Sequence, residues 1–322
     1  MLTTLAAMTL VSLALQGQTD TTLAVPAGAS LSVNNFGGAI VVRGWNQNRM
    51  KIHAEHGRRG RVEVSLLGNT VTVKSGSRDG PPTVTDIEIT VPQATALRLS
   101  GTYAEITVEG VTGPISAETV EGQVDVRGGK GNISLSSIQG SVTLADASGR
   151  IEVTSVNEDV SLSNVSGEIK VETTNGELTL LGIQSSSVEA TTINGDVTYD
   201  GNIADAGSYS FNSHNGDITV TIPERANVTI TGATANGEID ASFSVPVTTT
   251  PRQGRRWTFK LGTGSARLEV ESFQGDIRLR RPGEVQRAGG HDSKHNKNND
   301  SNYDFDFNFD FDVKVKEIVD SA

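Results

Sequence analysis

The chain has 322 residues, a formal net charge of −11 at pH 7 and no cysteine. The lack of cysteine excludes disulfides, thiol catalysis and zinc–thiolate sites. The acidic balance argues against nucleic acid as a partner, because a phosphate backbone is bound by an excess of Lys and Arg. The negative charge is concentrated at 99–242, where 5 Lys and Arg stand against 20 Asp and Glu. This segment favours cations, a cationic peptide or a basic cell-envelope protein as partners.

Residues 1–18 are predicted to be a secretory signal peptide. Leu5 to Leu15 form an apolar run that is too short to cross a bilayer, and Ser12-Leu-Ala14 has the small-x-small pattern of a cleavage site. The segment before the run contains no Lys or Arg, and a buried strand or a mispositioned start is the alternative interpretation. We therefore expect an exported protein, periplasmic or at the cell surface, with no transmembrane span.

Residues 20–99 are predicted to form a less regular β N-terminal part that caps the repeats and includes early coils. Two alternating stretches, 62–66 and 71–73, flank Gly68-Asn69 and have the pattern of a hairpin. A cap is expected here because the uncovered end of a stack of strands is an open sheet edge that invites aggregation.

Residues 100–281 are dominated by a nine-residue unit of the form Gly-x-apolar-x-apolar. Its copies begin at Gly122, Gly131, Gly140, Gly149, Glu158, Gly167 and Gly176. Two-residue alternation predicts short strands, a fixed repeat predicts a solenoid, and the glycine predicts a corner. The fold class expected is therefore all-β, a parallel β-solenoid or β-helix.

A second period indicates the size of one coil. Asn-Gly followed by an acid begins at Asn175, Asn194, Asn215 and Asn236, in steps of 19, 21 and 21. Coils of about 20 residues, made of two nine-residue half-coils and stacked about 4.8 Å apart, are therefore expected. Asparagine repeating at this corner is suited to left-handed backbone and to hydrogen bonds from its side chain to the backbone. Residues 244–258 break the period and are predicted to be a loop, after which the pattern returns at 266–270 and 275–279.

The C-terminal residues have a different character. Residues 282–302 are predicted to be a flexible linker, and 303–322 contain a strictly alternating Asp/Phe strand. The apolar face of this strand carries Phe305, Phe307, Phe309 and Phe311. The pattern predicts a strand that pairs with a sheet edge and supports oligomerisation. A disordered tail is the alternative.

One constellation of acids indicates a candidate site. The first outward position of alternate units holds Asp159, Glu177, Asp196, Asp217 and Glu238. Stacking would place these carboxylates in a column, where like charges destabilise a sheet unless a cation such as Ca²⁺ or a basic peptide neutralises them. The alternative is that an acid after Asn-Gly is favourable corner chemistry. No other metal or cofactor is predicted.

The sequence gives little support for a catalytic function. His53 and His56 lie three residues apart in a predicted strand, so they point to opposite faces and make a poor metal pair. No serine has an evident His–Asp set, and Gly-x-Ser-x-Gly does not occur in the sequence.

The Val25-Pro26 and Val91-Pro92 pairs, the stretch 37–45 and the run of Gly-x-apolar-x-apolar units resemble the bacterial "putative adhesin" family of β-strand-repeat proteins with a domain of unknown function. The resemblance covers about residues 22–281. It implies an exported, non-enzymatic protein that binds at the cell envelope or senses envelope stress, and it carries no catalytic motif. The alternative is a carbohydrate-active β-helix that binds or cleaves a glycan through outward carboxylates.

Overall fold

The computed structural model describes residues 17–245 and 255–284, and within these ranges the chain forms strands and turns without a helix. The prediction of an all-β protein is confirmed. The strands of the N-terminal half are β1 (Gln18–Ala24), β2 (Ser30–Trp45), β3 (Arg49–His56), β4 (Gly60–Leu67), β5 (Thr70–Ser77), β6 (Thr85–Pro92), β7 (Ala96–Val111), β8 (Ile115–Glu121), β9 (Val124–Gly128), β10 (Lys130–Gln139), β11 (Val142–Ala145) and β12 (Ser148–Ser155).

The remaining strands follow the same pattern of short segments separated by corners. They are β13 (Val160–Ser163), β14 (Ser166–Asn175), β15 (Leu178–Asn194), β16 (Val197–Gly201), β17 (Ser208–Asn215), β18 (Ile218–Thr221), β19 (Val228–Thr234), β20 (Ile239–Ala241), β21 (Arg255–Leu261), β22 (Ala266–Ser272) and β23 (Ile277–Arg280). No helix long and apolar enough to span a membrane occurs in the part of the chain that is described.

The strands form two ladders of parallel pairs. In the first ladder, β8, β10, β12 and β14 lie side by side, and Ile133 pairs with Ile115 on one side and with Ile151 on the other. In the second ladder, β9, β11 and β13 pair in the same way, and Val142 pairs with Val160. The long strands β2, β7 and β15 take part in both ladders. Beyond β14 the step along the sequence becomes longer, as the pairs Ile169–Val188 and Val188–Tyr209 show.

One core lies between the two ladders. Alternate side chains of every repeat point inward and are almost completely buried, as with Ile133, Leu135, Val142 and Leu144. They belong to a single apolar cluster that runs from Leu23 to Leu279. A short strand with two apolar side chains inward and polar ones outward fits the two-residue period of β-structure and removes its apolar surface from water.

The N-terminal part covers the first parallel layer with antiparallel strands. Strands β4 and β5 form the predicted hairpin, and β5 pairs with β2. On the other ladder, β6 pairs with β2, β3 with β6, and β1 with β3. Two edge strands, β1 and β4, thus end the ladders on this side.

The C-terminal layers do not stack in the order of the sequence, which corrects our expectation of consecutive coils. Strand β22 pairs with β17 on one side and with β19 on the other, and β23 lies in the same way between β18 and β20. The last repeat is therefore an internal layer.

The predicted loop at 244–258 is also partly wrong, because 255–258 belong to β21, which pairs antiparallel with β19. This edge strand carries Arg256 and Lys260, and charged side chains on an edge oppose further strand addition.

Candidate binding surfaces

The structure brings the predicted acids together in one column at the corner that precedes the second ladder. Asp159 lies beside Glu177, Glu177 beside Asp196, and Asp196 beside Asp217, as the register of β13, β15, β16 and β18 requires. Asp carboxylates in the column accept a hydrogen bond from the backbone NH of the next layer. The distances are 2.7 Å from Asp159 to Glu177 N and 2.8 Å from Asp196 to Asp217 N.

The predicted neighbour relation between Asp217 and Glu238 is wrong, because Asp276 lies between them. Asp217 accepts a hydrogen bond from Asp276 N at 2.8 Å, and Asp276 accepts one from Glu238 N at 2.9 Å. The cause is the insertion of β23 between β18 and β20. Arg278, at the next outward position of β23, contacts both Asp217 and Asp276. The protein's own arginine thus neutralises part of the column.

The asparagines of the same corner form an amide ladder. Asn175 Nδ2 donates to Asn157 Oδ1 at 3.1 Å, Asn194 Nδ2 to Asn175 Oδ1 at 2.7 Å, and Asn215 Nδ2 to Asn194 Oδ1 at 2.7 Å. The prediction of left-handed backbone at these asparagines is wrong, since the non-glycine residues with positive φ in the described chain are Asp146, Asn164 and Ala206. Stacked side-chain amides, as in cross-β ladders, explain the Asn repeat.

A column of buried hydroxyls behind the corner was not anticipated from the sequence. Thr192 donates to the carbonyl of Gly176 at 3.1 Å, Ser213 to Gly195 at 2.9 Å, and Ser272 to Gly216 at 2.9 Å. Each hydroxyl satisfies a corner carbonyl that has lost its regular ladder partner. The signal was present as a Ser or Thr at the equivalent position of successive coils, but it was hidden among the many outward Ser and Thr. The equivalent residues of the earlier layers are Thr119, Ser137, Ser155 and Thr173. Three of them donate to a corner carbonyl in the same way, and the Ser155 hydroxyl has no partner among the described residues.

The described residues contain no group of three or more His, Asp and Glu side chains arranged to hold a metal ion. Binding of Ca²⁺ or of a basic peptide to the column of Asp159, Glu177, Asp196, Asp217 and Glu238 stays a prediction. The hydrogen bonds from backbone NH groups favour the alternative of corner chemistry, because they give the Asp carboxylates a structural partner in the next layer.

The predicted pairing strand of Phe305, Phe307, Phe309 and Phe311 lies outside the described residues, as do 1–16 of the predicted signal peptide and 285–302 of the predicted linker.

The N-terminal edge contains a histidine between carboxylates. His53 Nδ1 lies 2.7 Å from Asp20 Oδ1 on β1, and Nε2 lies 3.4 Å from Glu55 Oε1. Glu88 on β6 is its pairing partner on the other side. The hydrogen bond with Asp20 raises the pKa of His53 above the ordinary value of 6.5, with a smaller contribution from Glu55 and opposition from partial desolvation. When it is protonated, the imidazole ties the edge strand β1 to β3 through Asp20.

This contact predicts that the stability of the edge depends on pH. Because the pKa is higher in the folded state, the contribution is fully present below about pH 6.5 and is lost as the pH rises through the folded-state pKa. We expect His53→Gln to lower the melting temperature at pH 5.5 and to have a smaller effect at pH 9. Lys51→Gln, which removes a positive charge from the same strand, is the matched control. Equal losses for His53→Gln at the two pH values would contradict this role.

A second contact at this edge joins a hydroxyl and an imidazole, the groups of a nucleophile–base pair. Thr19 Oγ1 lies 3.2 Å from His56 Nε2, and His56 Nδ1 lies 3.1 Å from the carbonyl oxygen of Gly57. The group that orients this imidazole is a neutral carbonyl and not a carboxylate, so a developing imidazolium would receive little stabilisation. The pair gives weak support to catalysis.

A shallow groove of about 520 Å³ lies on the outward face of the first ladder, where β5, β2, β7, β8 and β10 run side by side. Ser32, Arg98, Ser116 and Ser134 occupy one outward position on successive strands. The next strands carry Glu152 and Lys170 at that position. The groove therefore ends where the small serine side chains of this outward row are followed by the longer side chains of Glu152 and Lys170.

Comparison with known proteins identifies the family to which the chain belongs. The Toastrack DUF4097 family, a domain of unknown function, matches residues 29–280. The chain belongs to this family, which agrees with the resemblance noted from the sequence.

Solved structures similar to this chain include a "putative adhesin" from Parabacteroides merdae, with 11% identity and a TM-score of 0.41. Another, from Bacteroides fragilis with the same description, has 11% identity and a TM-score of 0.37. A third, from Parabacteroides distasonis, is described as a "putative lipid binding protein" and has 10% identity and a TM-score of 0.42. Each match covers 82% of this chain and 96% of the other. No curated protein matches the chain.

Proposed function

We propose that the protein is an exported, non-enzymatic β-solenoid that acts as an adhesin-like binding protein, or as a sensor of envelope stress, in the periplasm or at the cell surface. The solenoid is supported by the two parallel ladders, whose partners recur at a nearly constant step along most of the chain, and by the single core between them. Each layer is completed by its neighbours, as in other repeat proteins.

The observation that carries a binding role is the outward face of the first ladder. Neighbouring strands in a sheet lie about 4.8 Å apart, so side chains at one outward position form a rigid row with that spacing. In the groove the row consists of hydroxyls around one guanidinium. A fixed array of donors and acceptors on a regular sheet is suited to recognising a repeating polymer or an envelope protein without a conformational change.

The alternative function, cleavage of a polysaccharide by outward carboxylates, receives less support. A general acid or base needs a carboxyl group that is free to exchange a proton with the substrate. Asp196 and Asp217 instead accept backbone NH groups, and Arg278 contacts Asp217. Asp159 is held in the same way by Glu177 N.

Binding and cleavage are separated by one experiment. The purified protein is incubated with envelope extract and, separately, with polyuronides; bound material is recovered with the protein, and new reducing ends are measured. We expect a retained envelope component and no reducing ends above a buffer blank. New reducing ends would establish the enzymatic alternative, and a protein that retains nothing in either arm would contradict the binding role.

A further inference from the structure

Arg98 lies in the middle of the groove without a partner in the described part of the chain. Its neighbours on the adjoining strands are Ser32 and Ser116, and neither is charged. Eight other arginines of the described strands contact carboxylates: Arg43, Arg61, Arg127, Arg150, Arg256, Arg267, Arg278 and Arg280. Arg49 contacts Gln47 and the ring of Trp45 instead. An exposed guanidinium between small neutral side chains is therefore an exception to the pattern of this surface.

The rest of the groove is uncharged and combines apolar surface with hydrogen-bonding side chains. Its outward side chains include Ser32, Thr72, Ser116, Asn132 and Ser134, and no Asp or Glu of the described residues lines it. Serine and threonine hydroxyls and the asparagine amide both donate and accept, as the hydroxyls of a sugar do.

The size and the surroundings of the groove restrict the ligand. From Ser32 to Ser134 the row crosses three strand spacings, about 14 Å, which is enough for a short stretch of an extended chain. Glu152 lies one strand beyond Ser134, within the Debye length of about 8 Å at physiological salt. Arg150, on the same strand as Glu152, lies beside Asn132, so this edge of the groove carries both signs of charge. Among the described residues that line the groove, Arg98 is the one cation. A chain with widely spaced anionic groups would place one of them on Arg98, whereas the further charges of a dense polyanion would find no cation in the groove.

We propose that this groove binds a glycan with widely spaced anionic groups, one of which pairs with Arg98 while the hydroxyls of Ser32, Ser116 and Ser134 bind the neighbouring sugars. Guanidinium is suited to this role because its planar set of NH donors pairs with a carboxylate or a sulfate in two hydrogen bonds. The Pro114 ring and the side chain of Ala96 offer apolar contact to a sugar face within the same groove. The inference rests on the proposed binding function and specifies its ligand.

The test uses the full chain and three defined oligosaccharides of equal length. A hyaluronate octasaccharide carries a carboxylate on every second sugar, a chitin oligosaccharide is neutral, and a heparin oligosaccharide is densely anionic. Dissociation constants are measured by calorimetry for the wild type, Arg98→Gln and the matched control Arg150→Gln. Arg150 lies on the same face, beyond the groove, and is similarly exposed.

We expect the wild type to bind hyaluronate more tightly than the other two probes, and Arg98→Gln to weaken that binding by about tenfold or more, since it removes a charge-assisted pair. Arg150→Gln should change it by less than about twofold. Ser116→Ala, which removes one of the proposed hydroxyls without altering charge, should weaken hyaluronate binding as well. Melting curves that match the wild type show that the variants are folded.

Three results would overturn the inference: no binding of hyaluronate, equal binding by Arg98→Gln and the wild type, or equal losses in the Arg98 and Arg150 variants, which would indicate unspecific attraction. These outcomes differ from failure of the proposed function. If hyaluronate does not bind but an envelope component is still retained, only the ligand class is wrong. If new reducing ends form, the binding function itself is wrong.

Discussion

Replacing Gly216 by alanine is expected to destabilise the protein by about 3 kcal/mol or more, at the upper end of the cost of inserting a methyl group into a packed core. A Cβ at Gly216 would lie 2.0 Å from the carbonyl oxygen of Gly195 in the neighbouring layer. The contacted atoms belong to the backbone of a parallel ladder, so they cannot move without breaking interlayer hydrogen bonds. A Cβ at Gly275 would meet the carbonyl oxygen of Gly216 at the same distance of 2.0 Å, so the close contact recurs in the next layer.

Gly76→Ala is the matched control. Gly76 lies in β5, and a Cβ there would meet nothing within 4 Å. Alanine is therefore expected to be neutral or slightly stabilising, because glycine in a strand costs about 0.5–1 kcal/mol of conformational entropy. Thermal and denaturant unfolding followed by circular dichroism measure both variants. If the two substitutions had similar effects, close packing of the corner glycines would not be what the repeat requires.

Ending the chain at Ser265 is expected to disorder the layer formed by β19 and β21. Without 266–284, β19 loses its parallel partner β22, and β20 loses β23. The side chains of Tyr209 and Phe211, both fully buried beside β22, become exposed. Hydrogen exchange should report a free energy of opening near zero for β19 and unchanged protection for β8 to β14, because interactions in a repeat stack are mainly with nearest neighbours.

A chain that ends at Glu284 separates this effect from the loss of 285–322. It retains β22 and β23 and should protect β19 as the full chain does. If β19 stayed protected in the chain ending at Ser265, it would stack directly on β17, as the sequence order had led us to expect, and the internal position of β22 would be contradicted.

The regular part of the fold could be predicted because local and tertiary requirements coincide there. In units such as 131–135 and 149–153, the apolar alternation, the corner glycine and the interlayer register all repeat together. The same sequence pattern could not predict which layer follows which. A strand with two inward aliphatic residues fits beside any other, and only the antiparallel pairing of β21 with β19 excludes consecutive stacking at the end.

The candidate surfaces were predicted to different degrees. The acid column was visible because four of its five acids follow Asn-Gly and Asp159 occupies the equivalent position of its unit, but Asp276 follows Gln274-Gly275 and was missed. The partners of the acids were missed as well, because backbone NH groups of the next layer leave no mark on the sequence. The groove could not be anticipated, since it depends on small side chains from five strands between residues 30 and 134 being adjacent in space.

The parallel register is tested most directly by distances between spin labels on introduced cysteines, because the chain has no cysteine of its own. Ser116, Lys170 and Ser210 occupy the same outward position, three and five ladder steps along from Ser116. The pair 116 and 170 should therefore lie about 14 Å apart and the pair 116 and 210 about 24 Å apart. Distances that do not increase with the number of ladder steps would contradict the stacked-layer arrangement on which every surface described above depends.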